Sequence, residues 1–154
     1  MKKIVIIVLT AIIVAFIVYV VYIIITPTKN EMEKDLQKNT IVLTELSTFF
    51  EGYEYDYMFI SKDDSSLYVS SGMGNGFNIS IENENIRKDI NFLFSKLGYL
   101  FIEKHKNNVR YVKRGFLDNS EGLIYMFNDD VPYGFKVTTL EKLSQEKWYY
   151  YKEQ

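Results

Sequence analysis

Few residues in this chain have the type and spacing that catalysis or metal binding requires. His105 is the single histidine, and it stands between Lys104 and Lys106 at the end of a predicted strand. A Ser-His-Asp triad would have to use it, and the two flanking cations would lower its basicity. We predict an exposed turn residue at His105. With one histidine and no cysteine, we expect neither a zinc site, nor a disulfide, nor thiol catalysis.

Carboxylates offer two candidate pairs for glycoside hydrolysis, Glu82 with Glu84 and Asp118 with Glu121. That chemistry needs two carboxyl groups about 5–9 Å apart, one of them desolvated. All four residues have polar, turn-like neighbours, which favours solvated carboxylates. The oxygen-rich segments 63–66 and 128–130 lack the ligand spacing of a calcium loop and are predicted to be turns. We therefore predict no catalytic residue, metal or cofactor, and lean towards a protein that is not an enzyme.

The segment Gly72–Gly76 reads Gly-Met-Gly-Asn-Gly. Phosphate-binding loops of this kind join a strand to a helix, so that a helix N-terminus faces the anion. Here the strand pattern beginning at Phe77 follows, which favours a hairpin loop. Met73 at its tip is predicted to be an exposed apolar contact for a partner.

The aromatic run Trp148-Tyr149-Tyr150-Tyr151 is the second candidate for partner binding. Successive side chains of a strand point to opposite faces, so one of its two aromatic faces should be core. The other face is left for a protein or a glycan, because exposed Tyr and Trp are frequent at contact sites. Ordinary amphipathic tyrosines at the rim of a sheet are the alternative.

The strongest signal in the sequence is a predominantly apolar run from Ile4 to Ile25, which contains no charged residue, no glycine and no proline. Its 22 residues would form a helix of about 33 Å, enough to cross a bilayer. The run is longer than the apolar part of a cleavable signal peptide and has no small-residue cleavage site at its end. We predict a cytoplasmic leader at 1–3 and a single-pass signal anchor at 4–25.

The charges suggest an orientation. Lys2 and Lys3 precede the run, and we favour a C-terminal part outside the cytoplasm, although the charge asymmetry is weak. The overall net charge is −2, and setting those two lysines aside leaves −4 for the rest. A weakly acidic surface argues against nucleic acid as a partner. The shortage of alanine outside the run and the abundance of Lys, Asn, Ile and Tyr suggest a bacterial source.

The remainder predicts an α+β fold. Residues 26–51 are the predicted juxtamembrane segment, in which 30–51 read as a helix with Asn30 as N-cap, Gly52 as its end and apolar residues along one side. It is predicted to be a stalk, with self-association through this helix left open. Residues 52–154 predict a mostly antiparallel sheet with one internal helix, near 85–97, packed on a face.

These features together predict a membrane-anchored extracytoplasmic binding module whose partner is another protein. It would be an accessory subunit of an envelope complex or an immunity-type protein that neutralises a toxin. A wall- or glycan-directed enzyme or lectin using acidic and tyrosine residues is the alternative. A structural tether that only spaces or dimerises the stalk is the third.

Overall fold

The computed structural model describes residues 7–17, 28–64, 66–71, 76–116, 119–128, 130, 132–134 and 136–153. Its helices are α1 (7–17), α2 (Lys29–Glu51) and α3 (Glu84–Lys96). Its strands are β1 (Tyr57–Ser61), β2 (Leu67–Ser70), β3 (Phe77–Ile79), β4 (Phe101–His105), β5 (Asn108–Phe116), β6 (Asn119–Met126), β7 (Val137–Lys142) and β8 (Trp148–Glu153). The predicted α+β class is confirmed.

All eight strands form one antiparallel sheet in the order β3-β2-β1-β4-β5-β6-β8-β7. From β1 the chain runs outward through β2 to β3, and the connection that contains α3 then returns it to the other side of β1, where β4, β5 and β6 follow in order. The last two strands then form a hairpin that turns back, so that β8 pairs with β6 and β7 becomes an edge. The chain from Met126 to Val137 must therefore pass the position of β8. The other edge is β3, which is only three residues long.

The two faces of the sheet carry different clusters. Both α2 and α3 pack on one face, in a large apolar core that includes Met58, Tyr111 and Trp148. The opposite face, called here the helix-free face because neither α2 nor α3 of the described chain packs on it, carries a smaller cluster of Val112, Ile124, Met126 and Tyr151. Strand alternation produces this division, because Tyr111 and Val112 are successive residues of β5 and point to opposite sides.

Local sequence explains where the helices begin and end. The side chain of Thr28 accepts a hydrogen bond from the backbone N–H of Glu31, whose carboxylate in turn accepts from the N–H of Thr28. The cap of α2 is thus Thr28, and the prediction of Asn30 was wrong by two residues. The side chain of Asn83 caps α3 by accepting from the backbone N–H groups of Asn85 and Ile86. Gly98, at φ +73, follows the end of α3.

The whole length of α2 packs on the domain. Met32 and Leu36 in its first half are 0% exposed, as are Leu43 and Phe50 in its second half. Residues from both halves of α2 therefore belong to the same apolar core as the sheet. Since the apolar side of α2 lies against the sheet, self-association through α2 would have to use its outer side, where Ile41 is 74% exposed.

The predicted membrane anchor lies partly outside the described residues, which include only 7–17 of the run. Within the described ranges, no helix is both long and apolar enough to cross a bilayer. Helix α1 is exposed along its full length, and its large apolar side chains are 52–67% exposed.

Candidate interaction surface and its buried ion network

Strands β4, β5 and β8 bring four ionisable residues together on the helix-free face. Arg110 lies between two carboxylates: its Nη2 donates to Glu103, and its Nη1 donates to Glu153 Oε2 at 2.8 Å. His105 Nε2 lies 3.3 Å from Glu103 Oε1. The Ser120 hydroxyl donates to Glu153 at 2.7 Å. Cross-strand pairing explains the contact of Glu103 with Arg110, since the two residues are direct partners in the β4–β5 register.

This network is buried, which decides its electrostatics. The side chains of Arg110 and Glu103 are 7% and 12% exposed. Burial alone would raise the pKa of Glu103, but the contact with His105 and the charge of Arg110 outweigh it and lower that pKa to about 2. Burial and then the neighbouring charge of Glu103 raise the pKa of the Tyr57 phenol above its ordinary value. Near neutral pH, Glu103 is thus a carboxylate and Tyr57 a phenol.

The arrangement of these ion pairs fits a structural role better than a role in acid–base catalysis. A general acid must carry a proton near the working pH, and Glu103 carries none there because its pKa is low. Glu153, the second carboxylate, lies against the same guanidinium. The described residues also contain no group of three or more His, Asp or Glu side chains that could hold a metal ion.

His105 is buried, and the prediction of an exposed turn residue was wrong. It is 8% exposed because part of the connection between β6 and β7 lies over it. Asn108 Nδ2 donates to the carbonyl oxygen of Tyr133 at 3.1 Å, and the N–H of Tyr133 donates to Asn107 Oδ1 at 3.0 Å. Gly134 has φ +101, and a Cβ built there would lie 2.0 Å from His105 Nδ1. Glycine at 134 is what lets the backbone lie this close to the imidazole ring.

Beside this covered region the helix-free face carries half-exposed rings, called here the aromatic strip: Tyr57, Phe59, Tyr68 and Phe101. Phe59 lies opposite Tyr68 in the β1–β2 register, and its ring centroid is 5.5 Å from that of Phe101. The Tyr57 ring contacts the rings of Tyr68 and His105, at 6.2 and 5.3 Å between centroids. The strip therefore borders the ion network directly. Tyr68 is its most exposed member, at 38%.

The residues predicted to bind a partner are placed differently from expectation. Trp148 and Tyr150 belong to the main core, and Tyr151 lies in the smaller cluster on the opposite face. They are 2%, 3% and 0% exposed, so neither aromatic face of β8 is free for a partner. Tyr149 is half-buried, and Met73 lies outside the described residues.

Other acidic candidates are not brought together. Glu82 and Glu84 are exposed, and Asp118 lies outside the described residues. Glu121 is 7% exposed on β6, where it accepts a hydrogen bond from the Tyr150 hydroxyl, so its predicted solvated setting was wrong. Asp64 accepts from the backbone N–H and the hydroxyl of Ser61, which is the contact of a local turn.

Glu103, Arg110 and Glu153 were not among the functional residues predicted from the sequence. Each has the sequence position of a strand residue, and Glu103 alternates with Phe101 and His105 along β4. Phe101, Glu103 and His105 are two residues apart and therefore share one face of β4, and aromatic neighbours on the same face are a sign that a charged residue is only partly exposed. The identity of the partner charges depends on register, which is a tertiary property.

Comparisons of the chain with protein families, with curated proteins and with solved structures gave no match.

Proposed function

We propose that this protein is a membrane-anchored extracytoplasmic module that binds another protein and is not an enzyme. The observation that carries the proposal is the aromatic strip. Four neighbouring rings on one sheet face are a typical basis for a contact site, since Tyr and Phe supply a large contact area at a low cost in side-chain entropy. The strip lies on the face that α2 and α3 leave free.

The anchor part of the proposal is supported by the apolar run. Its described residues form α1, in which every side chain is exposed. Water solvates such a surface poorly, and a helix that is apolar on all sides is typical of a membrane span or of a fully buried helix. The extracytoplasmic orientation rests on Lys2 and Lys3 before the run.

The ion network supports binding over catalysis. Glu103 and Glu153 both form ion pairs with Arg110, which makes the three side chains a fixed structural element, and the low pKa of Glu103 leaves that carboxylate without a proton to donate to a substrate. Glycan binding is the second candidate, because the hydroxyl of Tyr68 and the rings beside it suit the polar and apolar sides of a sugar.

Site-specific photocrosslinking in cells tests the proposal. A photoreactive phenylalanine analogue replaces Tyr68 in the full-length chain, and in a matched variant it replaces Phe77. Phe77 is a 53% exposed aromatic residue on the neighbouring strand, but it lies on the helix side, where its ring contacts Tyr55. We expect one protein adduct from position 68 and little or none from position 77.

Equal adducts at both positions would contradict the aromatic strip as the binding surface. A lack of any adduct, combined with retention of the chain on a wall glycan that a Tyr68→Ala change abolishes, would replace protein binding with glycan binding.

A further inference from the structure

We propose that β7 is the membrane-facing edge of the domain and lies against the lipid headgroups, with β3 at the far edge. This inference deepens the proposed function and rests on its anchor. It assigns the lipid bilayer as the partner of one surface and leaves the aromatic strip on β1, β2 and β4 away from it.

The first argument is the length of the connection. The apolar run ends at Ile25, and the N-cap of α2 is Thr28, three residues later. Three residues reach at most about 10 Å when fully extended. The headgroup layer on each side of a bilayer is about 5–7 Å thick. If the run spans the membrane, the first turn of α2 must therefore lie in this layer or directly above it.

The second argument is that the first half of α2 is fixed to the β7–β8 hairpin. Glu33 accepts a hydrogen bond from the N–H of Ser144 at 3.1 Å, and Lys29 Nζ lies 2.8 Å from Glu141 on β7. The second contact is solvent-exposed and weak by itself. Met32 and Leu36, both 0% exposed, belong to the same buried core as Leu143 and Trp148 of this hairpin, and burial of that core supplies the stronger attachment. The domain cannot turn β7 away from the start of α2 without exposing these two side chains.

The charges of the two edges agree with this assignment. Lys136 and Lys142 are exposed at the two ends of β7, where they are placed to contact lipid phosphates. Glu141, the acidic residue between them, is paired with Lys29. The opposite edge, β3, consists of Phe77, Asn78 and Ile79 and carries no charge.

Fluorescence quenching by lipid tests the inference, and the lack of cysteine in the chain makes single-site labelling clean. A bimane fluorophore is attached to Lys142→Cys on β7 or to Asn78→Cys on β3, both exposed positions. The full-length protein is reconstituted in phosphatidylcholine vesicles that contain a headgroup-nitroxide lipid. Seven strand intervals separate the edges by about 33 Å, so we expect quenching at position 142 to exceed that at position 78 by about twofold or more.

Lys136→Cys repeats the measurement at the other end of β7, in case the first variant does not fold. Resistance of the same samples to alkaline extraction reports separately on the anchor. Extraction-resistant protein with equal quenching at both edges, or with stronger quenching at β3, would overturn the inference and leave the proposed function standing. Protein released by alkali would show that the proposed anchor fails and the inference with it.

Discussion

At the scale of single residues, the buried charges are the least expected feature of the molecule. A guanidinium and two carboxylates lie together on the sheet face opposite α2 and α3, and burial makes their mutual contacts necessary. A buried ion pair adds little net stability compared with an apolar pair, but removal of one partner is costly. We therefore expect the same substitution to lower the free energy of unfolding far more at a buried position of the network than at an exposed ion pair.

We expect Glu103→Gln to lower the free energy of unfolding at pH 7 by about 2–3 kcal/mol. This is near the lower end of the cost of breaking a buried ion pair, because Arg110 keeps Glu153. The pKa of Glu103 falls from 4.5 to about 2 on folding, so its contribution is complete above about pH 4.5 and is lost as the pH falls through about 2. Urea unfolding at several pH values should show the variant approaching the wild type over this interval.

Glu141→Gln is the matched control, because it removes an exposed ion pair with Lys29, whose side chains are 38% and 47% exposed. We expect a change of at most about 1 kcal/mol. A cost for Glu103→Gln no larger than that of the control would show that the network is not buried in solution.

A second prediction at this scale concerns the cost of replacing Gly134 by alanine. Gly134→Ala adds both an unfavourable positive φ and a contact with the His105 ring, whereas Gly98→Ala adds only the first, since no atom lies within 4 Å of its Cβ. We expect about 1 kcal/mol of destabilisation at Gly98 and clearly more at Gly134. Faster hydrogen exchange at the Tyr133 amide should accompany only the Gly134 change. Equal effects at the two positions would contradict the packing of this connection on His105.

At the scale of elements, the apolar pattern of α2 predicts a helix but does not predict which surface the helix packs against. The spacing of Met32, Leu36, Leu43 and Phe50 predicts a helix with one apolar side, and the helix is present. The same spacing is compatible with a coiled-coil stalk, and the sequence could not choose between the two. The structure shows that α2 is not a free stalk. Its apolar side is buried in the core of the domain by residues distant in sequence, such as Tyr111.

Leu36→Ala and Ile41→Ala form a matched pair on α2, since their side chains are similar in size and are 0% and 74% exposed. We expect Leu36→Ala to cost about 2–4 kcal/mol and Ile41→Ala less than about 0.5 kcal/mol, with thermal or urea unfolding as the measurement. If the first half of α2 were a free stalk, both changes would have small effects.

At the scale of the whole molecule, the sheet order decides which surfaces exist. Because β7 and β8 form a hairpin that turns back, Trp148, Tyr150 and Tyr151 lie on an interior strand, and the aromatic run that looked like a contact site becomes core on both faces. The same order puts β1 and β2 near the opposite edge, where Tyr68 and its neighbours are left partly exposed.

Local sequence patterns were enough to predict the α+β class, a mostly antiparallel sheet, the strands that contain Phe77 and Trp148, and the two helices of the domain. These depend on local propensity and periodicity, which a short segment contains. Local patterns could not predict the packing of α2 on the sheet, the contact of Glu103 with Arg110, the burial of His105 or the partial exposure of the aromatic strip. Each of those outcomes depends on strand register and order, which arise from contacts between residues far apart in the chain.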